Sequence, residues 1–543
     1  MNYNFLFRII MDNDYIEEKL WNDTSIPVDD PLEGWYHDDA VWQITASMII
    51  FNMQTGFGML ESGCVSLKNE VNIMMKNVCD VILGGVTYWA FGYGLSYGES
   101  TGTSWFTAMG SWFLDESGPM QGPTFTVFLF QMSFATTATT IVSGAIAERC
   151  DFNAYCLFSL VNTVVYCVPA GWLWGNHGFL KNLGVVDIAG SGGVHLVGGT
   201  SAFVAAWLLG PRLGRWDGDT APPMGSPTNA VIGLFMLWWG WLSFNAGSTF
   251  GISGNKWRLS AKACVTTLLA SFSGGFTAMV QSYFTCDKKQ DVLTIVNGIL
   301  GGLVGVTASC AVVDVFEALF IGVVGSFLAN ITPLLLTWLK VDDAVGATCV
   351  HGFGGAWGMI AVGLFARKDV VSIGYSKYNG IIWHGETYLL GIQIFAVVVI
   401  FIWSSVSTYI LLFLVDLVCP IRMAEHMELL GADYCEHEVF HPGVGVTRAV
   451  SVLQHVPKFT SKVNVELDYV GKNYGHDQYL NKVYNKEKIS VFKDNPVRKA
   501  IIRAAEAVSS GLHNFKNSLS GNKPAGKTKS PESPESVSTS YLA

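Results

Sequence analysis

The 543-residue chain is short of charge. Asp, Glu, Lys and Arg make up 14% of it, against roughly 25% in an ordinary soluble domain. It has no stripe of basic residues, and its formal net charge of −10 is spread over the termini and loops, so no nucleic-acid partner is expected. A phosphate-binding Walker loop and a nucleophile–base constellation are also missing, which argues against an enzyme. The first 38 residues are acidic and mixed, with no n-region leading into a long apolar stretch, so no cleavable signal peptide is expected. The eleven cysteines are odd in number. Cys156, Cys264 and Cys310 lie inside apolar runs, as packing residues do, and not in a disulfide framework.

Apolar residues and glycine are what the chain has in quantity. Half of it is hydrophobic, mean hydropathy is +0.35, and 58 residues are Gly, which suits helices packed closely in lipid. A membrane-crossing helix needs about 20 mostly apolar residues. Runs of that kind lie near 41–60, 78–98, 123–147, 153–174, 188–210, 229–250, 262–284, 292–313, 315–339, 344–366 and 387–415. Only Asp314 and Glu317 separate the eighth from the ninth. The expected fold is an all-α integral membrane protein of eleven transmembrane helices.

Eleven crossings place the termini on opposite sides. The sequon Asn22-Asp23-Thr24 favours an outer N-terminus, with Asn22 as a glycosylation site. Under that orientation eight Lys and Arg fall in inner loops and nine in outer segments, which decides nothing; Arg422, just after the last span, favours an inner C-terminus. Four regions follow: 1–39 outside, 40–419 in the membrane, a cytoplasmic tail at 420–515 with short helical stretches such as 496–508, and a disordered end at 516–543. That end is rich in Lys, Ser, Pro and Gly and carries Ser530-Pro531 and Ser533-Pro534 as phosphorylation candidates.

Well inside the runs three ionisable residues stand out: Asp80, His195 and His351. Such groups are costly in lipid and face a cavity or a partner. The two histidines share a pattern, Val-His-Leu-Val-Gly-Gly at 194–199 and Val-His-Gly-Phe-Gly-Gly at 350–355, on the fifth and tenth runs. A five-span repeat has an odd number of crossings, so its second copy is inverted, and inverted repeats put substrate near the midplane. Each histidine lies seven residues into its run, about 10 Å at the helical rise, one counted from each side. Both therefore fall within about 5 Å of the middle of a 30 Å hydrocarbon core. Two neutral imidazoles meeting there can hydrogen-bond, one as donor and one as acceptor, and offer a polar line and a proton relay. A metal centre is the competing reading. Asp187 lies eight residues before His195, about 12 Å along a helix, and no His-x-x-x-His or paired Cys spacing is near either histidine. No metal or cofactor is expected.

The strings FQMSFA (130–135), AERCDF (147–152), VVDIAGSGGVHLVGG (185–199), GPRLGRW (210–216), WLSFNAGS (241–248), GLVGVT (302–307) and VHGFGGAWGMIAVGLF (350–365) occur in the order of a known family. Over residues 40–440 the chain resembles the ammonium transporters (Amt/Mep, distantly related to Rhesus proteins). The segment MLESGCVSLKNEVNIMMKNVCD (59–80) is similar to the plant and invertebrate branch. The resemblance implies two inverted five-helix halves plus a last helix, a homotrimer with one pore per subunit, and ammonium or ammonia as cargo across a lipid plasma membrane.

It also implies roles. Trp174 matches the aromatic, and Ser248 the hydroxyl, of an outer ammonium site; an aromatic face attracts a cation and a Ser oxygen accepts an N–H. Without the family, nothing selects Trp174 over Trp172. Phe134 and Phe244 match a stacked pair closing the outer pore, Trp241 a pore-wall aromatic, and Asp187 an acid that holds helix ends near the site. Two departures are visible. Five residues before His351, where the family carries an acid, stands Gly346, which puts the helix-end contacts of the tenth span in doubt. The tail run ELLGADYCEHE (428–438), built around Gly431, ends in Glu438 where Gly is more usual; its family counterpart touches a neighbouring subunit. Three functional readings remain open: electrogenic ammonium transport, an electroneutral ammonia channel, and an ammonium sensor signalling through its tail.

Overall fold

The computed structural model describes residues 36–217, 223–368 and 374–439. These belong to a compact unit spanning residues 1–491; the second unit, 492–543, lies outside the described residues. So do Asn22, the 496–508 stretch, Ser530 and Ser533.

The described chain is helical, with two isolated β-bridges as its only extended pairing. Its main helices are α1 (His37–Phe51), α2 (Met53–Cys64), α3 (Glu70–Thr87), α4 (Gln121–Ala145), α5 (Phe152–Trp174), α6 (Val197–Leu209), α7 (Pro227–Gly247), α8 (Lys256–Thr285), α9 (Val292–Thr307), α10 (Val315–Trp338), α11 (Gly354–Phe365), α12 (Tyr388–Val418), α13 (Glu425–Leu430) and α14 (Ala432–His437). Nine helical stretches among the described residues are long and apolar enough to cross a membrane. The first run, divided at Asn52 into α1 and α2, and the 16-residue α9 are the two expected spans outside that nine.

Several boundaries differ from the hydropathy reading. Helix α3 begins at Glu70, not near 78, because the polar residues of its first turns have partners. Lys76 donates to the Cys150 carbonyl at 2.9 Å, and Asp433 accepts the N–H groups of Val71 and Asn72 at 3.1 and 2.7 Å. Helix α9 stops at Thr307, short of 313. Beyond it the chain bonds to the segment before His195: the Ile188 N–H donates to the Ala308 carbonyl, and the Ala308 N–H to Ser191 Oγ at 2.7 Å.

Glycine sets how closely the helices approach. A Cβ on Gly63 would meet the backbone of Ala230, and one on Gly233 the backbone of Leu60, so α2 and α7 lie backbone to backbone. Helices α8, α9 and α10 pack together in the same way through Gly274, Gly302 and Gly325.

One end of the bundle is a polar clamp. Arg149 is fully buried and donates to the carbonyls of Gly210, Ala145, Ala147 and Asp342. Arg212 grips Asp342 through Nε and Nη2 at 2.8 and 2.9 Å. The tail docks on this end of its own chain. Gly431, at φ 104°, lies against Lys68, which donates to the Glu428 and Leu429 carbonyls at 2.6 and 2.9 Å. Glu438 does take the left-handed conformation, φ 57°, that favours Gly in its place.

Within this dock Glu436 accepts from Asn72 Nδ2 and from the Phe152 N–H. Burial pushes its carboxyl up to about 7, against the lowering pull of Lys76 and these hydrogen bonds, with Asp151 adding a small raise. Its ordinary value, 4.5, is lower. The docked state therefore binds the proton more tightly, and the stability this group contributes is lost as pH rises through about 7. Protection against hydrogen exchange over residues 425–437, corrected for the intrinsic rise of amide exchange with pH, should fall as pH is raised across neutrality in the parent, with Lys76, Asp151, Asp433 and His437 as the surrounding charges. Glu436→Gln should flatten that dependence; an equally steep profile in the variant would count against it.

Candidate functional site

The two Val-His-x-x-Gly-Gly stretches share a local build that extends beyond the six residues. Eight residues before each histidine stands an aspartate. Asp187 accepts the N–H groups of Gly190, Gly192 and Gly193 at 2.8, 2.9 and 2.9 Å. Asp343 accepts those of Gly346, Ala347 and Thr348 at 2.9, 3.2 and 2.7 Å. Five residues before each histidine is a left-handed glycine, Gly190 at φ 100° and Gly346 at φ 81°. Gly346 thus suits its backbone, and the helix-end contacts it seemed to forfeit are made by Asp343. A turn of π-helix follows in each copy, Ser191–Leu196 and Thr348–Phe353, a form that is frequent at functional sites.

The glycine pairs then bring the copies together. A Cβ on Gly199 would run into the Gly352 backbone, and one on Gly355 into the backbone of Ser191 and Leu196. Each copy's last glycine makes room for the other copy's π-turn. As a result His195 Nδ1 and His351 Nδ1 stand 3.2 Å apart, with ring centroids 5.1 Å apart and planes within 20°. Both are buried. A contact between like nitrogens requires opposite tautomers, one Nδ1–H donating to the other's lone pair. His195 Nε2 is buried without a protein partner.

A continuous column of aromatic rings leads away from this pair. Trp241 stacks on His195 at 5.0 Å and 16°, held by its Nε1–H donating to Thr307 Oγ1 at 2.8 Å. Phe244 lies 5.7 Å from His195 and stacks on Phe134 at 4.2 Å and 13°. Trp174 stands edge-on to Phe134 at 6.2 Å and 88°, and its Nε1–H donates to the Asp187 carbonyl at 2.8 Å. Beyond the Phe134–Phe244 stack is a cavity of about 10 Å³, lined by Phe130, Gln131, Phe134, Trp174, Ile188, Ser248 and Phe250. That is close to the space of one water-sized molecule. Ser248 Oγ donates to the Phe244 carbonyl at 2.8 Å, which leaves its lone pairs as acceptors.

Of the pore and buried residues expected from the sequence, Trp174, Ser248, Phe134, Phe244, Trp241, His195 and His351 lie along this line, and Asp187 and Asp80 do not. Asp187 does not line the cavity: its carboxylate accepts three backbone N–H groups of the turn before His195, and its main-chain carbonyl accepts the Trp174 Nε1–H. Asp80 is off the line, accepting the Tyr155 hydroxyl at 2.9 and 2.7 Å. Two residues escaped the sequence reading. Gln131 lines the cavity with a buried, unpartnered Oε1; its place three residues before Phe134 on one helix face was the available signal. Glu61 lies one residue past the end of the first apolar run, yet it is inside α2, 2% exposed, and lines a second cavity of about 20 Å³ beneath His351. It is a buried ionisable group that, unlike Asp80, shares a cavity with His351.

The model of the ammonium transporter family matches residues 41–441. The chain belongs to that family. Among its relatives this transporter-family chain is 42% identical over 432 residues to a Caenorhabditis elegans protein provisionally named ammonium transporter 3, a match covering 77% of the chain and 62% of that relative. It therefore spans less than two thirds of that relative's length. Archaeoglobus fulgidus ammonium transporter Amt2 is 37% identical over 425 residues, covering 74% of the chain and 87% of the relative. Of solved structures, one titled sensor Amt protein superposes with a TM-score of 0.67 at 31% identity, covering 74% and 98% of the two chains. The family and its apolar helices make this a multi-pass membrane protein of the Amt/Mep fold.

Proposed function

We propose that the protein carries ammonium across the plasma membrane by holding it at the Trp174 cavity, removing its proton, and passing ammonia along the twin-histidine line. The observation that carries this reading is the unbroken sequence of cavity, Phe stack and histidine pair. Trp174 offers its ring face to the cation, and Ser248 and Gln131 offer oxygen acceptors to its N–H groups. The Phe134–Phe244 stack closes the way to hydrated ions. A bare cation is costly in such a pore, so the proton leaves on or before the stack and ammonia continues past His195 and His351. A separate proton path through the histidines makes transport electrogenic; without one the protein is an ammonia channel.

In this reading eleven crossings form two inverted five-helix halves and a last helix, with α1–α2 and α9 completing the nine. The N-terminus and the Trp174 cavity face outward, the polar clamp and the tail face the cytoplasm, and Asn22 bears a glycan. The subunits assemble as a homotrimer in lipid. The family resemblance supports the trimer. An inside-negative potential favours cation entry. A sensor role through the tail is the second reading, favoured by the name of the solved neighbour and the Ser-Pro sites beyond residue 529.

The test is voltage-clamp current with ammonium at several pH values, in cells expressing the parent and His351→Ala. A saturable inward current that follows ammonium, and falls by about tenfold or more in the variant, is expected of the histidine relay. A variant as active as the parent would sink the relay. Accelerated pH change without current makes the protein a neutral channel. Silence in both assays with protein at the surface moves the reading to a sensor.

A further inference from the structure

We propose that Glu61 is an inner proton station, where ammonia leaving the histidine pair is turned back into ammonium. The inference rests on the transport reading above and adds a residue and a step to it.

Phe57 and Glu61 are one helical turn apart on α2, about 6 Å along its axis. The Phe57 ring contacts His351, with centroids 6.1 Å apart. Both residues line the cavity of about 20 Å³ that begins at His351, large enough for a molecule the size of water, ammonia or ammonium. The Glu61 carboxyl is buried there, and its partners are neutral. Ser143 Oγ lies 2.8 Å from Oε2 and 3.0 Å from Oε1, and Asn77 Nδ2 donates to Oε2 at 2.7 Å.

Other buried acids of this protein are matched differently. Asp39 faces Lys256 at 2.8 Å, Asp342 faces Arg212 at 2.8 Å, and Glu428 faces Arg422 at 2.9 Å. Asp80 has the Tyr155 hydroxyl and Asp187 its three backbone donors. Asp80 and Asp187 also have neutral donors but border neither cavity, whereas Glu61 borders one large enough for a small ligand. An ionised carboxylate out of water is costly unless a cation sits against it. The arrangement suits a group that alternates between a neutral acid and a carboxylate paired with a mobile cation.

The chemistry is a single proton transfer. The Glu61 carboxyl O–H bond breaks and an N–H bond forms on the incoming ammonia, leaving a carboxylate beside an ammonium ion. The ammonium leaves the cavity, and the next proton to come through His351 restores the acid. No electrons are exchanged. Each cycle brings one ammonia and one proton separately to Glu61 and rejoins them there.

The experiment compares the parent, Glu61→Gln and Glu61→Asp as full chains in the same expressing cells. Methylammonium current and uptake of radiolabelled methylammonium are measured together, with surface protein counted. Glu61→Gln should lower the charge carried per molecule taken up by roughly tenfold or more. Glu61→Asp, which keeps the acid, should hold that ratio nearer the parent's. A loss that is only structural lowers both quantities together and leaves the ratio where it was, and that result overturns the proposal. A second readout is the infrared difference spectrum of purified protein in ammonium against sodium. The parent should show a carboxyl band that Glu61→Gln lacks. If neither variant reaches the surface, the parent spectrum decides alone, and no ammonium-dependent carboxyl band overturns the inference. A parent with neither current nor uptake refutes the transport reading itself, before Glu61 is in question.

Discussion

Gly199→Ala should abolish ammonium transport although residue 199 lines neither cavity. The added methyl has nowhere to go: its nearest neighbours are the backbone N and Cα of Gly352 and the carbonyl carbon of His351. Backbone cannot rotate aside as a side chain can. Overpacking of this kind costs about 1–3 kcal/mol or more, and here it is relieved by pushing His351 away from His195. The 3.2 Å contact between the rings leaves little slack, and a displacement of about 1 Å at a reacting group can cost about a hundredfold in rate. Gly355→Ala, which would press on Ser191 and Leu196 from the other copy, should behave alike. Gly391→Ala is the control, since a Cβ there meets nothing within 4 Å. Current per surface molecule separates them. A Gly199→Ala protein transporting like the Gly391→Ala control would mean that the two copies do not position the histidines through their glycines.

Asp342→Asn should be the most destabilising of the conservative changes outside the pore. Burial alone would raise this carboxyl, but the hydrogen bonds and charge of Arg212, helped by Arg149, hold it well below the usual carboxylate range. A depressed acid contributes stability that is present above the ordinary carboxylate value, near 4, and is lost only as pH falls through its lower folded value. At neutral pH the whole contribution is in force, and the substitution removes it while leaving Arg212 and the wholly buried Arg149 in place. Breaking one side of a buried ion pair costs about 3–5 kcal/mol. The purified variant should melt several degrees below the parent at neutral pH. Because the same arginine also meets Glu148 at 3.5 Å, and Arg422 pairs with Glu428 at 2.9 Å, the tail dock should loosen with it. An unchanged melting temperature would mean that solvent or Glu148 already compensates these arginines.

The sequence reading succeeded where a residue's environment follows from its neighbours in the chain. Long apolar runs must be helices in lipid, since no other element satisfies its own backbone there. That logic located the nine stretches among the described residues that are long and apolar enough to cross, and it failed at the ends of α3 and α9, where partners distant in sequence decide. Lys76 and Asn72 look like loop residues until Cys150 and Asp433 are seen to satisfy them. Glu61 is illegible in the sequence for the related reason that a carboxylate at the edge of an apolar run is ordinarily a boundary. Only the fold shows it turned inward beneath His351. The contact that Gly346 cannot make is made by the aspartate three residues earlier, which the residue at position 346 alone does not reveal.

By itself the sequence determined the membrane class, the family, and the pairing of two histidines in a repeated motif, because composition, motif order and spacing are properties of the chain alone. Tertiary structure decided which side chains act together. Whether Asp187 faces a ligand or a helix end, whether Phe134 stacks on Phe244, and which acid shares a cavity with His351 depend on contacts between helices far apart in sequence. Those contacts are set by glycines whose missing side chains admit a neighbouring backbone, a constraint that is visible only once both backbones are in place.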